Sequence, residues 1–167
     1  MSNYRIPTSV KEIKGRTMPY GASHHSSFLI TINSNRQPKS EEERRVIANS
    51  LRDVIGGKLF EQKHFLRMIK FLKGRREASL IKNMDAEFAI ETGSNQHRVH
   101  AHVLVNVYHN STIHLDPIYI KDFVTRKLNQ DLVKAGFKPI RGSVYVNIRA
   151  VKGGWSVLKY VRKTGKS

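Results

Sequence analysis

The chain has no cysteine, and that absence removes disulfides and thiolate metal sites, leaving imidazoles and carboxylates as the available metal ligands. Acidic residues are scarce. Thirteen Asp and Glu stand against 30 Lys and Arg, for a formal net charge of +17 and an isoelectric point near 10.4. A surface so biased favours a polyanionic partner, nucleic acid first among them. A ribosomal or chromatin protein is equally basic and an anionic membrane also attracts such a chain, so charge alone names a partner class and no activity. Long apolar runs are missing too: nothing approaches the roughly eighteen residues of a membrane span, and the polar opening residues 1–7 lack the apolar stretch of a secretory leader. The expectation is an intracellular protein with no membrane segment. What is present suits one globular domain, with 39% apolar residues over 167 positions and no internal repeat, low-complexity block or linker.

Residues 1–24 mix basic residues with Pro7, Pro19 and Gly21 without periodicity and read as a basic arm or irregular lead-in, leaving 25–167 as the folded domain. Residues 26–33 alternate as a strand, with Phe28, Ile30 and Ile32 on one face and Thr31 and Asn33 on the other. Ser40 ahead of Glu41, Glu42 and Glu43 has the form of a capping box. Val46, Ile47, Leu51, Val54 and Ile55 keep helical spacing from there until Gly56-Gly57. A second amphipathic helix is expected over 59–72 and a strand over 86–91. A turn-rich stretch then leads into a second strand over 98–108, so these two should form an antiparallel hairpin. Asp116-Pro117 opens a helix that runs to Gly136, residues 143–151 alternate as a last strand, and a short helix follows through Lys163. The order β, α, α, β, β, α, β, α contains the split βαβ pattern. It predicts an α+β, ferredoxin-like fold whose central antiparallel sheet has helices on one face and an open opposite face.

On the hairpin's second strand, Val99, Ala101, Val103, Val105 and Val107 should point to the core, and His100, His102, Asn106 and Tyr108 to the open side. Eight His in 167 residues give roughly 0.4 His-x-His pairs by chance, so the pair His100 and His102 acquires weight only from its surroundings. If Phe88 and Ile90 enter the core, Glu91 turns to the same open side. Two neutral imidazoles and one carboxylate with open positions suit Mn²⁺ or Mg²⁺ and also accept Zn²⁺ or Ni²⁺. The bland alternative is a set of solvated cross-strand pairs. In the last helix Tyr160 and Lys163 share a face, placing a phenol beside an ammonium that favours phenolate or neutralises developing charge. The corresponding bland reading is a surface Tyr beside a DNA-contacting Lys. Of the remaining histidines, His97 is expected near the hairpin mouth, and His24, His25, His64, His109 and His114 in surface or structural roles.

Taken in order, Phe28-Leu-Ile-Thr-Ile-Asn33, His100-Ala-His102 and Tyr160-Val-Arg-Lys163 followed by Gly165 resemble the motifs of HUH endonucleases. The metal motif precedes the tyrosine, as in the replication initiator (Rep) nuclease domains of rolling-circle viruses and plasmids. The resemblance implies a metal-dependent nickase that takes Mn²⁺ or Mg²⁺. In it Glu91, His100 and His102 hold the ion, Tyr160 attacks a phosphodiester of single-stranded DNA, and Lys163 stabilises charge or moves a proton. The products implied are a 5′-phosphotyrosyl link and a free 3′-OH, which a later 3′-OH can rejoin. Thr31, Asn33, Arg98, Tyr145, Arg149 and Lys159 are the expected site-support or DNA-contacting residues. The implied partner is a replication origin, with adjacent duplex or a stem-loop, in a host nucleus or a bacterial cytoplasm. A helicase domain or partner outside this chain is compatible with the resemblance. The final Thr164-Gly165-Lys166-Ser167 lacks the glycine that a phosphate-binding loop needs five residues before Gly165, so no ATPase is expected here. Two other readings share the pattern: a noncatalytic ferredoxin-like nucleic-acid-binding module, and a single-tyrosine HUH transposase.

Overall fold

A computed structural model describes residues 4–6, 21–92, 98–110 and 113–151. The elements are β1 (Tyr4–Ile6), β2 (His24–Asn33), α1 (Glu41–Val54), α2 (Gln62–Lys73), α3 (Arg75–Ser79), β3 (Ile81–Glu91), β4 (His100–His109), β5 (Ile113–Leu115), α4 (Pro117–Lys134) and β6 (Tyr145–Val151). Strands β3, β4, β2 and β6 lie side by side in that order as a four-stranded sheet, every neighbouring pair antiparallel. β2 therefore runs parallel to β3, with β4 inserted between them, and β4 runs parallel to β6, with β2 between. These interleaved crossovers are the split βαβ arrangement, and the fold is the α+β, ferredoxin-like one expected.

Alternation along the strands builds the core. Phe28, Ile30 and Ile32 of β2 are fully buried, as are Val99 and then Ala101, Val103, Val105 and Val107 of β4. They pack with Ile47 and Leu51 of α1, Phe65 and Met68 of α2, and Val124, Leu128 and Leu132 of α4, so the helices occupy one side of the sheet. Apart from Ala101, each such side chain removed from water contributes about 1.5–3 kcal/mol. Among the described residues no helix is long and apolar enough to cross a membrane.

The helix termini show how local chemistry sets the boundaries. Ser40 accepts from the Glu43 amide at 3.1 Å, the first half of the expected capping box. Glu43 does not return the bond; its buried carboxylate takes Arg36 Nε at 2.8 Å instead. Asp116 accepts from the Ile118 amide at 2.9 Å, Pro117 opens α4, and Gly136 adopts a left-handed φ of 90° just past its end. At Gly56-Gly57, where a stop is expected, the chain instead winds through a π-helical turn over Ile55–Leu59. Gly56 lies so close to Phe88 that an added Cβ would come within 2.6 Å of its ring.

β3 begins at Ile81, five residues before the alternation suggests, because a register shift between Ile81 and Asn83 interrupts the period-two pattern. β2 likewise begins two residues early, at His24, and β1 pairs with β5 as a separate two-stranded ribbon that periodicity does not announce. The short helix expected through Lys163 lies outside the described residues.

Candidate metal centre

Glu91 is the last residue of β3, and the antiparallel register sets it directly opposite His100, the first residue of β4. His102 follows one rung further along the same face, between Ala89 of β3 and Thr31 of β2. The neighbouring side chains Val99, Ala101 and Val103 point into the core, so this trio projects from the side of the sheet opposite the helices.

Backbone anchors hold both ends of the hairpin where the trio forms. The buried Arg44 of α1 donates to the Thr92 carbonyl at 2.6 Å, fixing the chain immediately after Glu91. Across the hairpin the Ser34 amide donates to the Val99 carbonyl at 3.0 Å, fixing the chain immediately before His100. Asn35, with a left-handed φ of 57°, binds the Arg98 guanidinium through Oδ1 at 3.1 Å and donates through Nδ2 to the Ser143 carbonyl at 3.3 Å. The ends of β2, β4 and β6 are thereby tied together beside the site.

One ligand atom from each of Glu91, His100 and His102 lies within 4.8 Å of the others, close enough to share a metal ion. Glu91 Oε2 is 2.8 Å from His100 Nε2 and 3.9 Å from His102 Nε2. The other nitrogen of each ring is also engaged: His100 Nδ1 lies 3.2 Å from the Arg98 carbonyl and His102 Nδ1 lies 3.3 Å from Thr31 Oγ1. An Nδ1–H donated to these oxygens leaves each Nε2 directed at the shared space, which is how outer hydrogen bonds orient imidazole ligands. The rings stand edge to face, with centroids 5.1 Å apart. His102 is 8% exposed, and burial, reinforced by the neighbouring His100, holds its pKa below the usual imidazole value against the opposing pull of Glu91. The neutral ring that metal binding requires is thus the favoured form at neutral pH.

A His₂Glu set with positions left open fits a divalent first-row or hard ion, and nothing in the donor types is thiolate or otherwise soft. Of the other residues singled out in the sequence, Thr31 touches His102, Arg98 offers its carbonyl to His100, and Asn33 lies opposite His100 with its Oδ1 accepting from the Asn35 amide at 2.8 Å. Tyr145, 53% exposed, and Arg149 stand on β6 on the same face, so they flank the trio two strands away. Lys159, Tyr160 and Lys163 lie outside the described residues. Asn35 carries no sequence signal, because its role depends on a left-handed backbone and three strand ends brought together. Among the spare histidines, His109 is fully buried and bonded to Ser26 at 2.7 Å, a structural role.

No protein-family model, curated protein or solved structure matches this chain. Its functional reading therefore rests on its own residues.

Proposed function

We propose that this protein is a metal-dependent, sequence-directed nuclease that nicks and rejoins single-stranded DNA through a tyrosine, in the manner of a replication initiator acting inside a cell. The observation that carries the reading is the register that brings Glu91, His100 and His102 together on the face of the sheet opposite the described helices, in a chain of net charge +17. Mn²⁺ or Mg²⁺ is the proposed ion, and its chemistry is that of a Lewis acid against a phosphate oxygen.

The chain's own residues supply the rest. Glu91 and the two Nε2 atoms would hold the ion, while Thr31 and the Arg98 carbonyl hold the rings. Tyr160 gives up its phenolic proton to solvent water as its oxygen bonds to phosphorus. The P–O3′ bond breaks, and the departing 3′ oxygen takes up a proton, for which Lys163 is the proposed source. Because the 5′-phosphotyrosyl bond retains the energy of the bond it replaces, a later 3′-OH can reverse the step. Arg98, Tyr145, Arg149 and Lys159 are the proposed contacts to the strand.

Labelled single-stranded oligonucleotides incubated with Mn²⁺ or Mg²⁺ should yield a covalent protein–DNA adduct that is absent in Tyr160→Phe. DNA binding without any adduct across a diverse pool would instead identify a noncatalytic binding module. An adduct that persists in Tyr160→Phe would move the nucleophile elsewhere.

A further inference from the structure

The face that carries the candidate metal centre has a second, chemically different end. Four residues beyond His102 on β4, Asn106 lies between Asp85 of β3 and Ser27 of β2. Ser27 donates to Asn106 Oδ1 at 2.5 Å, and Asn106 Nδ2 donates to Asp85 Oδ1 at 2.9 Å, so one hydrogen-bonded row crosses three strands. On the next rung His25 and Tyr108 stack with ring centroids 4.7 Å apart and an interplanar angle of 21°. Leu29 and Leu104 lie between this end and the metal ligands, in an apolar patch completed by Ala89 beside His102 and Val151 beside Ser27.

The arrangement poses a charge problem. A chain with +17 net charge that binds DNA across this face would be expected to line it with cations, yet the outward end of the row is the exposed carboxylate of Asp85. His25 does not offset it, because burial keeps that imidazole below its ordinary pKa and neutral at neutral pH. A phosphate would be repelled from Asp85. A nucleobase would not: carboxylates accept from exocyclic amino groups, and aromatic pairs offer a surface on which a splayed-out base stacks. Arg149 of β6, on the opposite side of the same face, is placed to take the phosphates instead.

We infer that Asp85, with Asn106 and the His25–Tyr108 stack, forms a base-reading site that favours an amino-bearing base, cytosine, adenine or guanine, over thymine. This deepens the nucleic-acid reading above and rests on it. It also sets an orientation, with bases toward the β3 edge and phosphates toward β6. Six residue steps along β3 separate Asp85 from Glu91, or about 20 Å at ~3.4 Å per step, so the base read is removed from the reacting phosphate. The site contributes selection, not chemistry.

The test compares the full chain's affinity for oligodeoxycytidylate and oligothymidylate of about a dozen nucleotides, at neutral pH, by fluorescence anisotropy. Wild type should prefer the cytidylate roughly five- to tenfold, one good base contact. Asp85→Ala should abolish that preference by weakening the cytidylate alone, while Mn²⁺ affinity stays as in wild type. Asp85→Glu should restore part of the preference, which a merely structural role of Asp85 would not produce. Equal binding of both oligonucleotides by wild type, or a preference that survives in Asp85→Ala, overturns the site but leaves the nucleic-acid reading standing. No binding of either oligonucleotide overturns that reading as well.

Discussion

At the scale of single residues, the candidate metal centre is a matter of which way two rings point. Thr31 touches His102 Nδ1 and no other ligand of the trio, so Thr31→Val removes the orienting oxygen at nearly constant volume. Mn²⁺ affinity should fall about tenfold, measured by calorimetric titration, with the melting temperature of the metal-free protein little changed. Glu91→Gln replaces a ligand and should cost more. A second residue-scale expectation concerns His25, which faces Asp85, Asn106, Ser27 and Tyr108. Its folded pKa is lowered, chiefly by burial, so below the unfolded value of 6.5 the unfolded chain binds the extra proton first. Stability must then rise with pH through that window and fall as the solution is acidified. Melting temperatures followed from neutral pH downward should decline less steeply in His25→Asn than in wild type.

Elements are decided by what terminates and offsets them. The π-helical turn at Ile55–Leu59 brings the chain past Phe88 so closely that a Cβ at position 56 would push the tip of its ring aside. Gly56→Ala should destabilise the protein by about 1–3 kcal/mol in urea unfolding, the usual cost of overpacking. Most of that loss should be recovered when Phe88→Leu is added, because the clash is with the far end of the aromatic ring. Helices α1 and α4 were legible in the sequence because each joins an apolar period to a recognisable cap, Ser40 and Asp116, while α2 and the central strands were legible from their apolar periods alone; the five-residue α3 carries neither signal and was not foreseen. The first five residues of β3 were not, since Lys82, Asn83 and Asp85 are polar and a register shift falls among them. That lapse hid Asp85. A strand read as beginning at position 86 carries no base-reading carboxylate at its edge.

For the whole molecule, the trio staples β3 to β4, so an ion that binds only the folded arrangement must stabilise it. Mn²⁺ at one hundred times its dissociation constant should add about 2.7 kcal/mol, raising the melting temperature by roughly 5–10 °C for a domain of this size, with reversal by chelator. An unchanged melting temperature at saturating metal would remove the centre. Glu91, His100 and His102 were all named from the sequence, two by alternation within one strand and the third by the hairpin that alternation implies.

By itself, then, the sequence determined the sidedness of the sheet, the exclusion of thiolate ligands, the cationic character and which three residues could share an ion, because each follows from composition or from a period of two. Tertiary structure alone decided that Glu91 meets His100 at 2.8 Å, that Thr31 and the Arg98 carbonyl orient the rings, and that Asn35 ties three strand ends beside them. These depend on register and on backbone groups brought together from distant parts of the chain, and a slip of one residue in the β3–β4 pairing would turn the same side chains to the opposite face.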